Sequence, residues 1–265
     1  MYKRQPKYIV EIIGSIIIPL LGIIVPILIA QKNSLKTKKS FREKINRFWA
    51  TFPLVGKFII IHRAGIKAIF LHRDDIIRFR KNKEIDEYIL THAKESFTYV
   101  GIWFSDIEQY EKIGKTLRFL LEKNSNLTIN LYFRDSNLTE TDKNWLIDYY
   151  NCRNIENKIL ECIDYWKSWV DRIDEPQTRR RVKLFTHQCN LTCSFFLFNS
   201  PLDLSPRQRY GKEIIFFDQK LYACTKQQSI AMEITFHTKR NAFYHTITQM
   251  YERVKAKAQY INSNI

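Results

Sequence analysis

The densest group of side chains able to hold an anion is Arg179-Arg180-Arg181 with Lys183. Arginine's planar guanidinium presents paired N–H donors that match phosphate oxygens, so the cluster points to phosphate recognition. Arg63, Arg73, Arg207 and Arg209 stand in loops beside expected strands, where ligand-binding groups concentrate. On a strand, Arg181 and Lys183 share one face and Arg180 takes the other, so the cluster cannot converge whole on one ligand. The plain alternative for each arginine is a solvated surface charge. The set argues more strongly than any member.

Other chemistry is sparse. Cys152, Cys162, Cys189, Cys193 and Cys224 make an odd number of thiols, which fits a reducing compartment better than a disulfide framework. Cys189, Cys193 and the nearby His187 lack the further ligands a zinc site requires, so no metal and no cofactor is expected. No glycine-rich phosphate loop, GxSxG elbow or HExxH pair occurs. Trp166 and Trp169, with Tyr165, read as helix packing and not as a platform for stacked bases. Asn126, Asn137 and Asn190 open Asn-Leu-Thr triplets, which carry meaning only in a secretory lumen.

The elements that must position these groups alternate in period. Strands are expected at Phe58–His62, Ile66–His72, Phe97–Phe104 and Leu127–Phe133, all rich in aromatic and β-branched residues. Asp74-Asp75 signals a helix running to Glu95, and Asp106 opens another through Leu121. Helices follow at Glu140–Asn151 and Ile155–Asp174, and then strands at Arg181–Thr186, Ser194–Asn199, Glu213–Asp218 and Met232–His237. A last helix spans Arg240–Tyr260. The early strand-helix alternation predicts an α/β fold with a mixed, largely parallel sheet and flanking helices. The closely spaced later strands predict antiparallel additions.

Ahead of this body, Ile12–Ala30 carries no charge and only one hydroxyl, Ser15. At about 1.5 Å per residue such a helix is roughly 28 Å long, about the thickness of a bilayer's hydrocarbon core. A cleaved signal peptide is disfavoured, because the apolar run is long and Ala30-Gln31-Lys32 is no small-x-small site. Residues 1–30 are therefore read as a transmembrane anchor, 31–56 as a basic juxtamembrane linker and 57–265 as the folded domain. The net charge of the chain is +16, and the flank after the span holds Lys36, Lys38, Lys39 and Arg42. This predicts single-pass insertion in the inner (plasma) membrane with the C-terminal domain cytoplasmic. It also predicts attraction of that flank to anionic lipid. Pro19 and Pro26 share one helix face, and Gly14, Ser15 and Gly22 would let neighbouring helices approach, so a homo-oligomer is expected.

Arg63-Ala64-Gly65-Ile66, Arg73, Lys94, Gly101-Ile102, Asp135 and the strand around Phe195–Asn199 stand in an informative order. The set resembles a phospholipase D-like domain of the divergent bacterial type, over roughly residues 60–260. Active members of that superfamily use a His-x-Lys-x4-Asp motif. Its His attacks phosphorus, its Lys binds a phosphate oxygen and its acid orients the imidazole. Three incomplete versions occur here. His187-x-Cys189-x4-Ser194 lacks Lys and Asp, while His92-x-Lys94-x4-Tyr99 and His237-x-Lys239-x4-Tyr244 lack the acid.

The resemblance thus implies a catalytically lapsed domain that keeps a phosphate-binding cleft. Together with the anchor, it is similar in architecture to bacterial antiviral effectors that depolarise the membrane when a partner protein signals infection. The expectation is a non-catalytic membrane effector or sensor, binding anionic phospholipid or a phosphate-containing ligand, with room for an activating partner protein. The alternative is a membrane-tethered phosphodiesterase or nuclease using His237 and Lys239, with His187 a further candidate. A nucleic-acid scaffold ranks last, because the body's positive charge is spread and no known binding motif appears.

Overall fold

A computed structural model describes residues 64–70, 84–104, 107–199, 213–219, 230–235 and 242–261. The chain divides at Ile59/Ile60, and all described residues belong to the second unit, Ile60–Ile265. The strands are β1 (Ile66–Phe70), β2 (Ser96–Val100), β3 (Thr128–Arg134), β4 (Val182–His187), β5 (Cys193–Phe198), β6 (Ile214–Gln219), β7 (Ile230–Thr235) and β8 (Gln259–Tyr260). The helices are α1 (Ile85–His92), α2 (Ile107–Lys123), α3 (Glu140–Tyr150), α4 (Ile155–Asp171), α5 (Pro176–Arg180) and α6 (Ala242–Ala256).

The strands form one sheet in the order β1-β7-β6-β5-β2-β3-β4-β8. Only β2–β3 and β3–β4 pair in parallel, and the other five pairings are antiparallel. The sheet is mixed, as its pattern predicts, but largely antiparallel, which corrects the expected balance. The physical reason is connection type. Helical crossovers link β2 to β3 and β3 to β4, and these force parallel neighbours; β5, β6 and β7 follow without a described helix between them. β1 does not join the parallel group. It lies at the far edge, antiparallel to β7.

Strand alternation divides the core between two faces. On one face, Phe133 meets Trp166 of α4 and Tyr99 meets Phe104 at 4.0 Å, stacked. On the other, Tyr132 stacks on Phe185 at 4.5 Å and meets Tyr251 of α6 edge-on. In α4 the buried residues Ile155, Ile159, Cys162, Ile163, Trp166, Trp169 and Val170 fall three or four apart, one apolar stripe against the sheet. Trp166, Trp169 and Tyr165 are therefore packing residues.

A glycine and an asparagine permit close joints here. Gly114 lets α4 approach α2, so that the Trp169 indole N–H donates to the Gly114 carbonyl at 3.2 Å. A Cβ at 114 would lie 2.9 Å from Trp169 Nε1 and 3.0 Å from Tyr165 Oη. Gly114→Ala should lower stability by about 1–3 kcal/mol through overpacking, although alanine alone would favour the helix by ~1 kcal/mol. The shift in thermal unfolding midpoint checks the sign. At the end of β5, Asn199 takes φ 54°, a left-handed conformation that asparagine tolerates. Its amide accepts from the Lys94 and Glu95 N–H groups and donates to the His92 carbonyl, closing the end of α1.

Several boundaries differ from the sequence expectation, and four of them matter to the site or the sheet edge. The β2 strand ends at Val100 and not at Phe104, because the chain turns at Gly101 and folds Phe104 back onto Tyr99. The α4 helix stops at Asp171, three residues short of the expected end, and Arg172 caps it. Arg179 and Arg180 lie in the short helix α5, whose start is fixed by Pro176, and β4 begins only at Val182. The last helix stops at Ala256, and Gln259–Tyr260 turn back as β8 to pair with Phe185 and Thr186. The expected strand Phe58–His62, the first half of the Asp74–Glu95 helix and the span Ile12–Ala30 lie outside the described residues. Among the described residues, no helix is long and apolar enough to cross a membrane.

Candidate functional site

Because β2, β3 and β4 are parallel, their carboxyl ends lie along one edge. In sheets of this kind ligands bind in the crevice outside such ends. Here the edge gathers four polar side chains: Arg134 closing β3, His187 closing β4, Asp142 from the first turn of α3, and Asn190 from the β4–β5 connection. The Arg134 side chain is 1% exposed and fully engaged. Its Nη2 donates to Asp142 Oδ2 at 3.1 Å, its Nε to Asn190 Oδ1 at 3.3 Å and its Nη1 to the His187 carbonyl at 3.1 Å. The Asn190 amide donates to the second Asp142 oxygen at 2.5 Å. Asp142 is fixed in turn by the helix start, where its own N–H donates to the Thr139 hydroxyl. Hydrogen bonds from Asn190 and Thr139, then the Arg134 charge, hold the Asp142 carboxyl below the usual carboxylate range. Burial pulls the Arg134 guanidinium below its ordinary value, and Asp142 and Asp135 oppose that shift.

His187 is buried beside this pair, and both its ring nitrogens meet main chain. The Cys189 N–H donates to Nδ1 at 3.2 Å, so Nδ1 is the acceptor and Nε2 carries the proton, 3.1 Å from the Gly101 carbonyl. Burial is the largest cause that pushes the imidazole down to about 4, and the Arg134 charge adds to it. At neutral pH the ring is uncharged, with neither nitrogen open to a phosphorus centre. His187 in this arrangement positions backbone and does not present a nucleophile.

The chain itself lies across these strand ends. In the β4–β5 connection, Leu191 O accepts from the Tyr150 hydroxyl at 2.7 Å and Thr192 O from the Gln219 amide at 3.0 Å. With Asn190 tied to Arg134, three consecutive residues are held by three different elements. Gly101 admits the crossing, since a Cβ there would run into the Tyr99 hydroxyl and come within 3.0 Å of Ser194 Cβ. Cys193 and Cys162 are buried thiols, each pushed up to about 12 by burial, which suits packing and not nucleophilic attack. Among the described residues, no three His, Cys, Asp or Glu side chains converge as a metal site would need.

The arginine cluster separates in three dimensions. Arg181 donates to the carbonyls of Leu121, Asn124 and Leu127 and to the Thr178 hydroxyl, closing the C-terminal end of α2. Arg179 donates to the carbonyls of Asp171 and Ile173 after α4. Arg180 and Lys183 are exposed to solvent. The four thus do not surround one ligand: two cap helices and two face water. His92 places Nδ1 2.9 Å from the Tyr88 carbonyl and stacks on the Tyr88 ring, while Lys94 is exposed. Arg63, Arg73, Arg207, Arg209, His237, Lys239 and the flank Lys36, Lys38, Lys39 and Arg42 lie outside the described residues.

No family model matches the chain, and no curated protein matches it. Among solved structures, the chain is similar to Nuc, a phospholipase D family member from Salmonella typhimurium. The identity is 6% and the TM-score 0.37, over 68% of this chain and 90% of that one. It is also similar to TrmBL2, an archaeal chromatin protein described with a novel mode of DNA binding. There the identity is 11% and the TM-score 0.36, over 91% of this chain and 69% of that one. Both likenesses are shallow and say nothing about chemistry.

Arg134 and Asp142 were not singled out by pattern, and Asn190 stood out only as the head of an Asn-Leu-Thr triplet. A signal existed for the first: LYFR closes a strand of buried residues with a charge, and a charge in such a place requires a counterion. Nothing local marks Asp142 or Asn190 as that partner.

Proposed function

We propose that this protein is a membrane-anchored, non-catalytic effector or sensor with a phospholipase D-like cytoplasmic body. It binds anionic phospholipid headgroups, or a ligand presenting the same phosphate chemistry, and acts on membrane integrity. The observation that carries this reading is the charge-free span Ile12–Ala30 followed by Lys36, Lys38, Lys39 and Arg42. Each such residue beside an anionic leaflet contributes about 1 kcal/mol of attraction. The non-catalytic clause is supported by His187, whose nitrogens both meet main chain, and by the β4–β5 connection tied across the strand ends. A single helix cannot line a pore, so the action on the membrane requires several copies of the chain.

Dye release from liposomes tests this. The full-length protein should release dye from vesicles containing phosphatidylglycerol and not from phosphatidylcholine alone. Replacing Lys36, Lys38, Lys39 and Arg42 together by Ala should cut the anionic-lipid effect at least tenfold. Equal release from both vesicles would overturn the lipid clause. Hydrolysis of a generic phosphodiester that His237→Ala abolishes would replace the reading with the membrane-tethered phosphodiesterase.

A further inference from the structure

The β4–β8 edge of the sheet joins an exposed aromatic ring to a group of exposed basic side chains. Tyr260 is 53% exposed and sits on the outermost strand, opposite Phe185 in register. Its ring is 5.5 Å from Phe185, which stacks on Tyr132 at 4.5 Å, which meets Tyr251 at 5.6 Å. An aromatic row therefore runs from the α6 face of the core to the surface, and Tyr260 is its outer end. Exposed basic residues flank it: Lys183 two positions before Phe185 on β4, Arg180 just ahead of that strand, and Arg253, Lys255 and Lys257 where α6 runs into β8. None of the five makes an ion pair among the described residues, although Lys255 lies 6.0 Å from the Tyr251 ring centroid. Glu252 is the acid that accompanies them. On the α2–α4 side, exposed carboxylates at Glu111, Glu122, Glu161, Asp164 and Asp171 are interspersed with exposed Lys112, Lys115, Lys123 and Lys158, so no one sign of charge dominates there.

We infer that this edge, centred on Tyr260, Lys183, Lys255 and Lys257, is the surface by which the body lies on an anionic bilayer. The inference rests on the membrane reading above and names the part of the body that makes the contact. A tyrosine with an apolar body and a polar tip settles at the headgroup level, and lysines around it are drawn to acidic lipid. Lysines beside a two-residue edge strand also deter pairing with another chain, which leaves a lipid surface and not a β-partner as the occupant. A single-stranded nucleic acid would need several aromatic faces in succession for its bases. Here one ring is exposed, and it is already packed against Phe185.

Hydrogen exchange on the full-length protein in nanodiscs tests the inference. Residues 250–261 should exchange at least fivefold more slowly in discs containing phosphatidylglycerol than in phosphatidylcholine discs. The combined variant Tyr260→Ser, Lys255→Glu and Lys257→Glu should lose that difference while keeping the wild-type melting temperature. Lys115→Glu, exposed on α2 on the opposite face, should retain it. Equal exchange in both discs overturns the inference, as does protection by an oligonucleotide without protection by lipid. If dye release still depends on Lys36, Lys38, Lys39 and Arg42 while residues 250–261 stay unprotected, the membrane reading stands and this surface does not. If dye release shows no lipid dependence, the membrane reading itself has failed. The wild-type exchange decides the matter even if the combined variant fails to fold.

Discussion

Asp142→Ala is expected to be among the most destabilising single substitutions in the body, at about 3 kcal/mol. The reason lies in the partner it leaves behind. Arg134 is almost wholly buried, and Asp142 is the carboxylate that faces its Nη2. Removing one member of a buried pair strands the other's charge, which costs about 3–5 kcal/mol. The lower end applies because the Asp142 side chain is 27% exposed and water can replace part of the lost contact. Asp142 also accepts from Asn190, so the same change loosens the β4–β5 connection. Replacing the pair together, as Arg134→Met with Asp142→Leu, should recover much of the loss, because it removes the stranded charge. Thermal unfolding of Arg134→Met, Asp142→Leu and the double variant that joins them closes the cycle. Additive effects would mean that the two groups are not coupled as their 3.1 Å contact implies.

The second large effect is a dependence on acid. The His187 imidazole takes up a proton near 6.5 in the unfolded chain and only near about 4 in the fold. Between those values the unfolded chain binds a proton that the fold excludes. Stability from this group is therefore complete above about pH 6.5, falls as the pH drops, and levels out below about 4, roughly 3 kcal/mol lower. Asp142 titrates in a separate window. Its carboxyl is held below the usual range, so its contribution is lost only as the pH falls below the ordinary carboxylate value of about 4. His187→Gln should flatten the slope between pH 4 and 6.5 and leave the more acidic limb in place. Urea midpoints across this range, compared between wild type and variant, isolate the histidine from the other titrating groups. An unchanged slope would show that the ring is open to solvent and protonates freely. The neutral ring assigned here would then be wrong.

These two effects share an origin in residues that the sequence displays without ranking. FTYVGIWF and LTINLYF read as strands because they are rich in aromatic and β-branched side chains. The α4 stripe reads as a helix because its apolar residues recur at three and four. The parallel order β2-β3-β4 follows from helices between those strands, since a parallel neighbour demands a crossover. Each of these is a local rule, and the structure obeys it.

The arginine cluster shows where local rules stop. Four cations within five residues suggest one anion site, yet α5 turns Arg179 and Arg181 toward the carbonyls that end α4 and α2. The Arg179 acceptors are near in sequence, but those of Arg181, at Leu121, Asn124 and Leu127, lie far along the chain and become acceptors only after the helices pack on the sheet. Tyr260 continues a helical pattern on paper. It becomes strand only because β4 offers it an unpaired edge, with Phe185 to pack against.

By itself, the sequence determined the elements, the alternation of strand and helix, and the charge pattern that distinguishes the span and its flank from the body. Those features depend on residues a few positions apart, where side-chain period and turn chemistry decide. Tertiary structure alone decided that Arg134, Asp142, Asn190 and His187 meet at one strand edge, and that Arg179 and Arg181 cap helices while Arg180 faces water. Pairing of distant groups is set by sheet order and by the demand of a buried charge for a partner, neither of which is written in any local window.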